Sequence, residues 1–310
     1  MPEPKNADAH VNAAIQDVAI GYENSLYIAE RVFPSVNVAH KSDVYFKFTK
    51  GDRFRDEAAN DRQPGTRAPR GGWNVTTEPY ACKRISFGQG VPDMIVDNAD
   101  DVVRPFENAA SHVMEQINIR RERRLVTDIF ATGKWDTDVV GGVGADKWDD
   151  YANGDPAKDI SDGVDTILQN TGMKPNILVM GHEVMSALKQ HPDAIDRYKH
   201  TQTGILTEAQ VAAWLDIPTV LVGDAVYNSA QEGQTTSMSF IWGKNVLLAG
   251  VTNSPSIDTP SAGYTFNWQG VSTKTYREEA EEQDVVEANV DLDMKLTASD
   301  LGYFFSGIVD

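Results

Sequence analysis

Between Asp101 and Thr132 the apolar residues Val102, Phe106, Ala109, Val113, Ile117, Leu125 and Ile129 recur at three- and four-residue steps or their multiples. That spacing places them on one stripe of a single long helix. Asn98 to Asp101 supplies capping types and early acids, Pro105 is tolerated in a first turn, and Gly133 suits the position just past the end. At 1.5 Å per residue the helix is about 45 Å long. A compact domain has no need of such a rod, so the remaining elements are expected to pack along it. Arg120, Arg121, Glu122, Arg123 and Arg124 ring the helix midway. One turn of arginines among acidic neighbours is a weak basic patch, so the expected role is a solvated or subunit-facing turn and not a nucleic-acid contact.

Before the helix, Val44-Tyr45-Phe46-Lys47-Phe48 and Ile85-Ser86-Phe87 read as half-buried strands. Between them lies a stretch of about 36 residues, far beyond the two to five of an ordinary hairpin connection. It carries Arg53, Arg55, Arg62, Arg67 and Arg70 with Gly51, Gly65, Gly71 and Gly72, and its large apolar residues Phe54, Trp73, Val75 and Tyr80 are widely spaced. Such a segment has too little to bury to fold on itself. Two readings stand: a loose surface insertion, or an arm ordered by lying on another molecule.

After the helix the pattern changes. Ile160 to Thr171 reads as a helix ended by Gly172, Ile177 to Met180 as a strand, and His182 to Gln190 as a helix stopped before Pro192. Thr207 and Gln210 form a capping box for a helix to about Leu215, and Val220 to Val222 is a second apolar strand. Both strands run into glycine, Gly181 and Gly223, which describes a small α/β module. Strands follow at Met238 to Trp242, Val246 to Ala249, Tyr264 to Trp268, Thr273 to Arg277, Val285 to Leu292 and Tyr303 to Ile308.

Charge excludes one broad function. The 310 residues carry 46 acids against 28 Lys and Arg, a net charge of −18. Duplex-coating proteins gain affinity by neutralising phosphates, and this surface repels them. The charge is uneven: residues 41–93 hold +3, whereas 133–275 and 276–310 hold −8 each. The lone Cys82 forms no intrachain disulfide, in keeping with a reducing compartment. No secretory signal opens the chain and no apolar run reaches the ~18 residues of a membrane span, so a soluble protein made in the cytosol is expected.

Motifs for chemistry are weak. His182-Glu183 lacks the second histidine of a zinc-protease helix, since Ser186 stands there, and His191 is on the wrong face. Gly141-Gly142-Val143-Gly144 lacks the Lys and hydroxyl of a phosphate loop and reads as a surface turn. Asp136-Thr137-Asp138 starts like a calcium loop, but Val140 interrupts it and no Glu closes it. There is no nucleophile elbow, and Cys82 has no adjacent histidine. Glu278, Glu279, Glu281, Glu282 and Asp284 form an acidic run between two strands, usually a solvated face. No cofactor, no metal and no enzyme activity are expected.

Basic arm, long helix, α/β module and closing strands follow in an order that resembles the major capsid proteins of tailed phages with the Hong Kong 97-type fold. The stretch most similar in wording runs Lys174-Pro175-Asn176-Ile177-Leu178-Val179-Met180-Gly181-His182-Glu183-Val184, with Leu188, His191 and Pro192. It continues in Gly204 to Thr207 and Val220 to Ala225. The resemblance implies an α+β fold of five regions. These are an N-terminal arm and lead-in (1–40), an extended E-loop (41–93) and a P-domain with the spine helix and linker (94–159). A small α/β A-domain (160–250) follows, then the remaining A- and P-domain strands (251–310). It further implies self-association into hexamers and pentamers of an icosahedral shell around double-stranded DNA, without sequence-specific binding, assembled in the host cytoplasm and found in the virion. Scaffolding, portal and decoration proteins are the implied partners. The scaffold is expected as a separate protein or one removed by a protease, because the arm begins almost at once. The family's Lys–Asn cross-link has no matching residues here. Subunit contacts are expected between the arginines 53, 55, 62, 67 and 70 of one copy and the acids 278 to 284 of the next. An encapsulin-type cargo shell shares the implied fold, and an α/β enzyme with a basic lid over a phosphorylated ligand is the distant alternative.

Overall fold

A computed structural model describes residues 26–48, 65, 67, 75–98, 104–198, 207–252, 254 and 260–310. In chain order its elements are α1 (Ala29–Val32), β1 (Ser35–Asn37), β2 (Ser42–Phe48), β3 (Val75–Ala81), β4 (Lys83–Pro92), α2 (Asp93–Asp97) and α3 (Pro105–Asp128). There follow β5 (Thr137–Val140), α4 (Pro156–Thr171), β6 (Ile177–Gly181), α5 (His182–Gln190), α6 (Pro192–Tyr198), α7 (Glu208–Leu215) and β7 (Thr219–Gly223). The chain closes with β8 (Val226–Asn228), β9 (Met238–Phe240), β10 (Val246–Ala249), β11 (Gly263–Glu278), β12 (Gln283–Leu296) and β13 (Gly302–Ser306).

The spine helix α3 is shorter than the stripe suggested. Pro105 stands at its first position and it ends at Asp128, where the stripe predicted Thr132. The 24 residues span about 36 Å. Residues 101–103, the expected start, lie outside the described residues. The early stop has a packing cause. Ile129 and Phe130 are buried, and the Phe130 ring sits edge-on to Trp242 (5.0 Å) and Phe304 (5.2 Å), so the chain leaves the helix axis to bury them. Gly133 does take positive φ (80°), but in the turn that follows and not as the helix cap.

Along α3 lies a four-stranded sheet in the order β1-β11-β12-β4, with the helix packed on β4 and β12. The two strands expected at Tyr264 to Trp268 and Thr273 to Arg277 are one strand, β11, with a register shift between Trp268 and Val271. Gln269 and Gly270 both take positive φ there, so a bulge breaks the alternation without ending the strand. The basic segment is also shorter than expected. Its return strand β3 pairs with β2 in antiparallel register, Ser42 opposite Ala81 and Phe48 opposite Val75, leaving residues 49–74 as the connection. Pro79 hid this strand, and it is tolerated because, among the described residues, β2 and β3 form a two-stranded sheet in which neither is a central strand.

At the other side a five-stranded mixed sheet, β5-β13-β10-β6-β7, carries the α/β module. Strands β6 and β7 are parallel, and β10 runs antiparallel to both β6 and β13. Helices form where the sequence placed them. Asp155 caps α4 by accepting from the Lys158 N–H, and Gly172 ends it with φ 68°. The Thr207–Gln210 capping box opens α7. Two strands of this sheet come from elsewhere in the chain, β5 from Thr137–Val140 and β13 from Gly302–Ser306. Pro192 ends α5 as expected but also begins α6, because a proline at a first helical position loses no hydrogen bond.

Glycines at the ends of β6 and β7 let a tryptophan turn seat itself. A Cβ on Gly181 would stand 1.8 Å from the Gly243 carbonyl oxygen, and one on Gly223 would stand 2.1 Å from the fully buried Trp242 ring. Gly223→Ala is therefore expected to cost about 1–3 kcal/mol by forcing Trp242 off its site. Gly88→Ala on β4, whose nearest neighbour would be 3.5 Å away, serves as the tolerated control. Thermal denaturation of the two variants checks this; equal melting temperatures would remove the packing explanation.

Candidate assembly surface

The basic segment is rooted on the folded body. Tyr80 stacks on Phe266 of β11 at 4.5 Å, Tyr45 packs on the same ring at 5.5 Å, and the Tyr45 hydroxyl donates to Glu78 at 2.8 Å. Burial and Glu78 push the Tyr45 phenol well above its ordinary range. Cys82, expected in the arm, instead lies buried at its root beside the Phe266 carbonyl, and burial pushes its thiol up. A raised, buried thiol is a poor nucleophile. Of the five arginines, Arg67 is exposed; Arg53, Arg55, Arg62 and Arg70 lie outside the described residues.

The acidic run forms the tight turn joining β11 to β12. Glu278 ends one strand, Asp284 lies in the next, and Glu282 takes the left-handed region (φ 48°). Its charge is partly answered within the chain. Arg277 donates from Nη1 and Nη2 to Asp93 at 2.5 and 2.6 Å and lies 3.7 Å from Asp284 and 3.8 Å from Glu279. The pair holds the Asp93 carboxyl below its usual range. Gln283 Nε2 donates to Glu278 and Glu281. Glu279, Glu281 and Glu282 remain exposed.

The arginine cluster of α3, expected to be a solvated or subunit-facing turn, is divided: Arg120 and Arg123 are exposed, whereas the other members turn inward. Arg121 and Glu122 are buried. Glu122 Oε1 accepts from the Ala29 N–H and Oε2 from Trp242 Nε1, both at 2.6 Å, so one carboxylate joins α1, α3 and the turn before β10. Burial pushes its pKa up to about 7 against the opposing pull of these donors and Arg121. Arg121 reaches Glu30 of α1. Arg124 donates to the Leu292 carbonyl (3.1 Å) and to Asp293 (2.8 Å), and Arg84 of β4 holds Asp291 with Nε and Nη2. Asp293 also accepts from the Ala81 N–H, which fastens the arm root to β12. One signal was present: Val113, Ile117, Arg121 and Leu125 recur at four-residue steps, which puts Arg121 on the apolar stripe. Nothing local marks Asp291 or Asp293 as paired.

The remaining motifs do not assemble into chemistry. His182 Nδ1 lies 2.7 Å from Asp224 Oδ1 and its ring stacks on Phe240, whereas His191 is buried near the Gly154 carbonyl. Asp136 accepts from the Ser299 hydroxyl and Asp138 from the Gly133 N–H, so both are turn-forming acids. Gly141 to Gly144 form a turn closed by Gly142 N–H to the Ala145 carbonyl. Among the described residues no group of three or more His, Cys, Asp or Glu is placed to hold a metal ion.

A two-stranded ribbon rooted on a four-stranded sheet, a long helix beneath that sheet and a mixed sheet carrying an α/β module follow the order of parts expected of a phage capsid subunit. The comparisons agree. Residues 135–291 match the family model of phage major capsid protein E, and the chain belongs to that family. It is 28% identical to the major capsid protein of Burkholderia phage BcepMu over 96% of each chain. The fold matches a phage-related protein from Bordetella bronchiseptica RB50 with TM-score 0.75 and 23% identity, covering 97% of this chain and 98% of that one. It matches the mature capsid of bacteriophage PhiM1 with TM-score 0.56 and 10% identity, covering 98% and 91%. The fold is the α+β Hong Kong 97 type, and the protein is a phage major capsid protein.

The Glu122 hub has a defined pH signature. Its folded pKa of about 7 lies above the ordinary 4.5. Stability from the protonated carboxyl is thus full below about pH 4.5 and lost as pH rises through 7, by about 3 kcal/mol. Glu122→Gln does not titrate. Calorimetry from pH 5 to 8 is expected to show the wild-type melting temperature falling relative to the variant; a constant gap would exclude a titrating hub. Glu122→Ala, which orphans both donors, is expected to lose stability at every pH.

Proposed function

We propose that copies of this chain form hexamers and pentamers of an icosahedral shell enclosing double-stranded DNA. In this reading residues 41–93 are the E-loop, residues 94–159 with the β11–β12 hairpin form the P-domain, and residues 160–250 carry most of the A-domain. The subunit acts by association and performs no catalysis. Scaffolding and portal proteins, with a decoration protein in some shells, complete the particle, which assembles in the host cytoplasm. An acidic body suits this task, since it encloses packed DNA without adhering to it.

The observation that carries the reading is the segregation of charge within a chain of this family: residues 41–93 hold net positive charge in an otherwise acidic chain. Identical subunits meeting through such unlike surfaces gain register and specificity from charge. The arm of one subunit is placed, on this reading, over the acidic surface of the next, around Glu278, Glu279, Glu281, Glu282 and Asp284. Changing Arg53, Arg55, Arg67 and Arg70 to Glu is expected to leave the circular dichroism spectrum unchanged and to abolish particles in electron micrographs. Normal particles from that variant would show that the arm's charge does not join subunits.

A further inference from the structure

Beside the four-stranded sheet lies a second cationic surface, built from α3 and the strand β4. A groove of about 680 Å³ runs between α3 and the first half of β4. Its cations are Lys83, Arg84, Arg120, Arg123 and Arg124, against the single carboxylate of Asp128. In a chain of net charge −18 this is a marked local excess. Arg84 and Arg124 are bound to Asp291 and Asp293, and Arg123 lies over the Tyr227 ring at 4.4 Å. Lys83 and Arg120 are exposed and make no ion pair among the described residues. Ile85 and Phe87 give the groove an apolar lining.

The opposite end of the same sheet has the complementary chemistry. There the exposed Glu279, Glu281 and Glu282 sit beside α2, whose Met94 and Ile95 are 80% and 54% exposed. The two are one unit: the Asp93 N–H donates to the Glu282 carbonyl at 3.0 Å, and Arg277 clamps Asp93. On β12, Leu292 faces Lys83 while Gln283 faces Pro92. Nine residues of strand, about 30 Å, thus separate Lys83 at the far end of the groove from the tip, and five separate Phe87 at its near end, which faces Ala288.

We propose that the acidic, apolar tip of one copy docks in the cationic groove of a second copy. Two tips repel one another, so the tip cannot meet its own symmetry mate, and the groove supplies both the opposite charge and an apolar floor for Met94 and Ile95. A contact between unlike surfaces of identical subunits is head-to-tail, the kind that closes into rings. Duplex DNA is the poorer occupant, because two unpaired cations displace few counterions. The inference deepens the assembly reading above and rests on it, giving the turn a preformed receptor in addition to the arm.

The test is a charge swap in the full-length protein, read by sedimentation and electron microscopy. Lys83→Glu with Arg120→Glu is expected to remain folded and to raise the protein concentration needed for shells about tenfold or more. Adding Glu279→Lys and Glu281→Lys to the same chain is expected to give better assembly than either pair of changes alone, because the swapped charges attract at the groove while the arm keeps Glu278, Glu282 and Asp284. Normal assembly of the groove variant overturns the proposal, as does a defect that the compensating pair fails to lessen. A defect confined to DNA retention, with shells intact, also overturns it in favour of a nucleic-acid role. If the parent protein, expressed together with its scaffolding protein, forms no shells at all while remaining folded, the assembly reading itself fails, and that outcome is seen before any variant is made.

Discussion

The buried carboxylate of Glu122 is the point through which the parts of this subunit are held together. It takes hydrogen bonds from Ala29 at the start of α1 and from the indole of Trp242 in the turn before β10, while standing on the helix that supports the four-stranded sheet. Removing a carboxylate from water is costly, and its raised pKa records that cost. A group in such a position specifies geometry, because the donors that satisfy it exist in one arrangement of the three elements. Trp242 is fixed in turn by the glycines at the ends of β6 and β7, so the polar hub and the aromatic core depend on each other.

A second layer of buried charge does the same for the arm. Asp291 and Asp293 lie on the central strand β12, and their partners arrive from three directions: Arg124 from the helix, Arg84 from β4, and the Ala81 N–H from the arm root. An aspartate buried without them would be strongly destabilising. The ribbon of β2 and β3 is therefore attached to the body through Tyr45, Tyr80, Phe266 and these acids. Charge left over after these internal pairs is what the subunit leaves exposed, cationic at one end of the sheet and anionic at the other.

Much of this architecture could be read along the chain. The Gly172 cap, the Thr207–Gln210 capping box and the apolar runs of β6 and β10 all depend on neighbours within a few residues, and each forms where its pattern placed it; the stripe of α3 marks the helix but not its end. The errors have a common physical origin. Strand β3 was hidden by Pro79, and β5 by its brevity; each exists because a distant partner, β2 or β13, supplies its hydrogen bonds. The end of α3 was misplaced because Phe130 leaves the helix to meet Trp242 and Phe304, more than a hundred residues away.

The sequence by itself determined the order of elements, the long helix, the separation of a positive segment from an acidic body, and the family flavour of the Lys174 to Pro192 stretch. These follow from local periodicity and from composition, which need no partner to be defined. Tertiary structure decided which charges are available to a neighbour. Arg121, Glu122, Arg124, Asp291 and Asp293 carry the same formal charges as Lys83, Arg120 or Glu281, yet the first group is consumed inside the subunit and the second is left outside. Burial and pairing between residues far apart in the chain make that distinction, and no count of charges along the sequence contains it.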